Sequence, residues 1–171
     1  MESALRPRPI RRWAMARAKP RTEREWHRRF GVELFNGTWD LLEKRRRSRE
    51  DDLRMVHMAH ASRYHWSRVG KPVNFAIGEW QVSHVYAVLR RPEPATYHAE
   101  RCLAICKAHR VGDFALAFAY EALARSAAVA GRRADLRKYL AAADRAGRGI
   151  AEKEDRDEFF RQLATIATRR A

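Results

Sequence analysis

Residues 113–148, DFALAFAYEALARSAAVAGRRADLRKYLAAADRAGR, decide the fold. Apolar residues recur there at helical spacing, with Asp113 placed as a cap at the start and Gly131 as the break between two helices. Small residues at Ala124, Ala127 and Ala143 let the two helices approach closely, while Leu123, Leu136 and Leu140 fill the space between them. A hairpin of this kind leaves an apolar face uncovered, so it requires a neighbour of similar design.

That neighbour lies upstream. Val69-Gly70 recurs as Val111-Gly112, and Glu79 as Glu121, both 42 residues later. Leu89-Arg90-Arg91-Pro92 maps onto Ala130-Gly131-Arg132-Arg133 at an offset of 41, which leaves the register open by one residue. The pattern predicts an all-α chain: a first helix from about residue 31 carrying Val32, Leu34, Phe35, Trp39 and Leu42, then helices over 49–69, 72–89, 94–109, 114–130, 134–148 and 153–168. No segment reads as a strand.

In the second unit Tyr120, Leu123, Ala124, Ala127, Gly131, Leu136, Leu140 and Ala143 fall on a 4, 7, 8, 11, 15, 20, 24, 27 spacing, and in this the chain resembles the tetratricopeptide repeat. Val82, Ser83, Tyr86, Ala95, Ala99 and Cys102 follow the same pattern more loosely in the first unit. The period exceeds the roughly 34 residues of that repeat, and neither unit ends in its closing proline. AHASRYHW and LAFAYEALAR are also similar to uncharacterised bacterial proteins of this architecture. The resemblance implies a right-handed stack of antiparallel hairpins with about seven helices, divided as 31–69, 72–109 and 113–148 with a capping helix at 153–169. It also implies a concave groove for a peptide or protein partner, and it carries no activity.

Composition bounds the remaining possibilities. At 171 residues the chain buries about two-thirds of its unfolded surface and needs no staple. Cys102 and Cys106, four apart on one helix, suit neither a disulfide nor CxxC chemistry. With no apolar run of membrane length and no apolar N-terminal stretch, the expected class is a soluble cytoplasmic protein. The net charge of +15 is concentrated: residues 1–30 carry ten Lys or Arg against three Glu and read as a flexible basic arm. Lys44, Arg45, Arg46, Arg47 and Arg49 form a second run. Both suit the phosphates of nucleic acid or anionic lipid. Because 30 of the 36 basic residues are arginine, GC-rich coding accounts equally well for the excess, and Met15 is an alternative start that would leave residues 1–14 untranslated.

Candidate chemistry falls between residues 39 and 121, where six of the seven histidines lie. His57 and His60, shifted by 42, land on Ala99 and Cys102, positions expected to press against a partner helix. Counted from Gly70, His60 lies level with Glu79 across the hairpin and His57 level with His84. These four are the candidates for an acid/base site, and His57, His60 and Glu79 for a divalent metal, against the alternative of a polar seam between helices. Glu79 and Glu121, lone acids at matching repeat positions, are expected to face one groove with Asn74, Trp80, His84 and Arg125, unless Glu121 and Arg125 form a solvated i, i+4 couple. No GxSxG, P-loop or dinucleotide glycine pattern is present.

Overall fold

Capping residues fix where the helices begin. Thr22 accepts a hydrogen bond from the Glu25 amide while the Glu25 carboxylate accepts one from the Thr22 amide, and Ser48 and Asp51 repeat the arrangement at the next helix. Each such box satisfies two donors that a helix start otherwise leaves unpaired. The computed structural model describes residues 21–167. Among them it has no strand and seven helices: α1 Glu23–Glu43, α2 Arg49–Val69, α3 Pro72–Val88, α4 Pro92–Ala108, α5 Asp113–Val129, α6 Arg133–Arg148 and α7 Lys153–Ala167.

Two boundaries differ from expectation. Helix α1 begins eight residues before Gly31, so residues 23–30, read as part of the arm, are helical; the Thr22 box starts the helix and the Trp26–Phe30 stack supports its first turns. Asp113 does not cap α5. Gly112 holds the cap position, and Asp113, at φ 53, turns its carboxylate to accept from the Ala151 amide at 3.2 Å, tying α5 to the connection before α7. Residues 1–20 of the expected arm, Met15 among them, and the last residues of the expected capping helix lie outside the described residues.

Short turns pair α1 with α2, α3 with α4 and α5 with α6, and successive pairs stack so that α3 lies along α5 while α7 closes against α5 and α6. The two central helices are buried over most of their length. Ala115, Ala119, Ala122, Ala99 and Cys102 let the backbones close up around the Trp80, Phe118 and Phe159 rings, whose centroids are 4.4 and 5.2 Å apart in sequence. No helix among the described residues is long and apolar enough to cross a membrane.

The packing settles the repeat register. Turn residues Arg90 (φ 56) and Gly131 (φ 70) are both left-handed, and each turn closes with the same bond, Arg91 N–H to the Tyr86 carbonyl and Arg132 N–H to the Ala127 carbonyl, both 2.9 Å. This is the Schellman closure, and it fixes α3 to α5 at an offset of 41. Ala95, Cys102 and Cys106 correspond to Leu136, Ala143 and Gly147 at the same offset, but the buried face of α2, Met55, Ala59 and Ser62, precedes Ala95, Ala99 and Cys102 by 40.

Gly147 is the point where α7 docks on α6, since a Cβ there would overlap the fully buried Phe159 ring. Gly147→Ala is expected to lower stability by about 1–3 kcal/mol, the usual cost of overpacking a rigid core. A shift of the urea midpoint to lower concentration with an unchanged slope measures it.

Candidate functional site

Glu121 interrupts an alanine-rich helix and is fully buried, as are Trp80, His84 and Arg125 to within a few percent. The expected groove is therefore a polar seam inside the stack. The Trp80 indole donates to Glu121 Oε2 at 2.9 Å, and Arg125 Nε donates to Oε1 at 2.6 Å. Arg125 Nη2 continues to the Gln162 carbonyl at 3.0 Å and the Thr165 hydroxyl at 2.8 Å. Glu121 and Arg125 do pair at i, i+4, but the pair is buried and bound on both sides rather than solvated. His84 lies against the Trp39 and Trp80 rings at 5.4 and 5.9 Å. Asn74 is at the far end of α3, where its carbonyl oxygen accepts from the Lys71 amide at 2.8 Å and caps the helix.

Glu79 and Glu121 do not share a groove. At the observed offset of 41 the counterpart of Glu79 is Tyr120, and one residue of slip rotates a helical side chain by about 100°. Glu79 instead faces α2 and α4. It accepts from Arg63 Nε at 3.1 Å and His98 Nδ1 at 2.7 Å, with Arg101 Nε at 3.6 Å. Burial pushes its carboxyl up, but the His98 hydrogen bond and the two guanidiniums outweigh this and hold it below the ordinary range. A carboxylate with both oxygens engaged by cations or donors is a fastener between helices.

The expected His57, His60 and Glu79 site does not form. At the true offset of 40, His57 and His60 correspond to Tyr97 and Glu100, both exposed; the two histidines are solvent-accessible as well, with one side of the His60 ring covered by Tyr86 and His98. His60 Nε2 meets Tyr86 Oη at 2.9 Å and its ring packs on His98, through which it approaches Glu79. Depth along the hairpin misleads because helical side chains lean toward their own N-terminus, so across an antiparallel pair an α2 residue meets a deeper residue of α3. His60 accordingly reaches past Glu79 to Tyr86, while His84 packs between the Trp39 and Trp80 rings. Among the described residues no three His, Cys, Asp or Glu side chains are grouped to hold a metal ion.

Two features escaped the sequence reading. At the free end of the first hairpin His27 and His65 share one hydrogen bond, Nδ1 to Nδ1 at 2.8 Å, beside Phe30 and Tyr64. The second is a cavity of about 570 Å³ where α3, α5 and α7 end and α6 begins. Arg90, Arg125, Arg133 and Arg137 line it over an apolar floor of Ala87, Leu136 and Ile166, with no acidic side chain among the described residues of its wall. Its only trace in the sequence is the arginine-rich turn that the repeat comparison aligns. The Lys44–Arg49 run is partly structural: Lys44 bonds Asp51 at 2.6 Å and holds that carboxyl down to about 2, and Arg47 bonds Asp52 at 2.8 Å, while Arg45, Arg46 and Arg49 are exposed. Compared with family models, curated proteins and solved structures, the chain matches none.

Glu121→Leu is expected to destabilise the fold by about 3–5 kcal/mol, because Arg125 is left charged and buried. The double variant Glu121→Leu, Arg125→Met is expected to lose less than Glu121→Leu alone, and a double-mutant cycle on urea denaturation measures the difference. Acid acts on different groups. Burial first, and then the neighbouring imidazole, hold His60 and His65 below the ordinary value of 6.5, so the folded state binds fewer protons than the unfolded state. Stability is therefore full above that value and falls as pH drops from about 6.5 toward the folded pKa. The melting temperature should decline as pH is lowered through about 6.5, and His60→Gln with His65→Gln should flatten the decline.

Proposed function

We propose that this chain is a helical-repeat interaction module of the tetratricopeptide type, and that it seats an acidic segment of a protein partner in the arginine-lined cavity. The observation that carries this reading is the cavity itself. Arg125 is bound to Glu121, but Arg90, Arg133 and Arg137 form no ion pair among the described residues and are exposed at the rim. Three unpaired guanidiniums around one concavity, each able to grip a carboxylate with two donors, favour a multiply anionic ligand. The apolar floor adds room for an aliphatic side chain beside the carboxylates, the usual division of labour in a binding pocket.

The stack supports such a role because the buried seam holds α3, α5 and α7 in fixed relation around the cavity, with Arg90 just past the end of α3 and Arg133 and Arg137 on the first turns of α6. The two buried, unbridged cysteines agree with a cytoplasmic setting. The groove once expected across Trp80, His84, Glu121 and Arg125 is replaced in this reading by the surface at the helix ends.

A hexapeptide of Glu and Asp with one central Leu, titrated calorimetrically, tests the proposal. It should bind the full chain, and the isosteric Gln and Asn peptide should not. Arg133→Glu with Arg137→Glu should lower affinity at least about tenfold, since each charged hydrogen bond contributes roughly 1.5–3 kcal/mol. Equal affinity for the two peptides, or an unchanged affinity in the variant, would overturn the assignment.

A further inference from the structure

Five rings run across the free end of the α1–α2 hairpin. Trp26 stacks on Phe30 at 5.4 Å and 20°, Phe30 lies 5.3 Å from His65, and His65 contacts both His27 at 5.0 Å and Tyr64 at 5.5 Å. This ribbon is not interior: Trp26, Phe30 and Tyr64 are 39%, 38% and 58% exposed. The guanidiniums of Arg21 and Arg29 stand 5.2 and 5.4 Å from the indole centroid. Acids at this end are Glu23 near His27, Glu25 in the cap box and Glu33 paired with Arg29. Residues 1–20, which lead into Arg21, carry six Lys or Arg against a single Glu.

We propose that this face binds single-stranded nucleic acid, with unpaired bases against the Trp26, Phe30 and Tyr64 rings and phosphates on Arg21 and Arg29. Aromatic rings at successive steps beside cationic side chains are what a sequence-tolerant single-strand site requires, because every base has a stacking face and every nucleotide a phosphate. The rings also discriminate against the other anionic surface. A helix that enters a lipid interface buries a continuous apolar face of Trp, Phe and Leu, whereas here the exposed rings are interrupted by the imidazoles of His27 and His65. A duplex, its bases already stacked, gives the rings nothing to hold.

The test uses the full chain and a fluorescein-labelled oligothymidylate of about 12 nucleotides, within the span of a typical single-strand site, read by anisotropy across a salt series. The wild-type chain should bind it with an affinity that falls steeply with salt, and bind a duplex of equal length at least about tenfold more weakly. Trp26→Ala with Phe30→Ala should weaken single-strand binding about tenfold or more without changing the salt slope, and Tyr64→Ala on the neighbouring helix should weaken it in the same way. Arg21→Ala should instead reduce the slope by about one. Circular dichroism melts confirm that each variant is folded. No binding by the wild type, equal affinity for duplex, or unchanged binding in all the ring variants would overturn the proposal. Binding to phosphatidylserine vesicles without binding to oligonucleotide would assign the face to lipid instead. Loss of oligonucleotide only in Arg133→Glu with Arg137→Glu would move the site to the cavity, while leaving the acidic-peptide reading to its own titration.

Discussion

The Glu121 carboxylate sits where no water reaches it, and three helices meet on it and its partner. Trp80 brings α3, Arg125 shares α5, and the Arg125 guanidinium extends to two groups of α7. Burying a carboxylate and a guanidinium costs several kcal/mol each before their attraction and hydrogen bonds offset it, so the pair contributes less to net stability than to the choice of one arrangement. Sliding α3 or α7 by a turn would break these bonds inside an apolar surround. Alanine packing alone, being smooth and nearly alike along α5, imposes no such penalty on slippage.

Glu79 performs the same office one layer earlier. Its partners Arg63 and His98 come from the helices before and after α3, so α2, α3 and α4 are joined through one side chain. With the acids at the centre of the stack drawn inward in this way, the charged groups among the described residues of the cavity wall are arginines alone, of which Glu121 holds Arg125.

The architecture was legible because its signals are strong and local. Caps, alanine stripes and turn residues each act within one helix length, and the hairpins follow from them. The site was not legible, because its assembly depends on offsets between helices. A repeat comparison that admits 41 or 42 cannot say whether Glu79 and Glu121 share a direction, and a two-residue error in α2 turned His57 and His60 from exposed positions into buried ones. Asp113 shows the same limitation: its type suits a cap, but the tertiary contact with Ala151 decided its use. The cavity combines residues from four helices whose sequence neighbours give no hint of convergence, and its arginines read as composition until the turn geometry places them.

The paired turns at Arg90 and Gly131 share one geometry and differ in backbone strain. Glycine enters the left-handed region without strain, whereas an arginine held there at φ 56 costs about 1 kcal/mol or more. The first turn keeps a strained residue whose side chain reaches the cavity wall, so the local backbone is less stable than its own duplicate shows it need be. Arg110, at φ 53 and closed in the same way by the Val111 amide on the Cys106 carbonyl at 2.9 Å, carries the same strain at the turn between α4 and α5, so the stack holds arginine in the left-handed region at two of its turns.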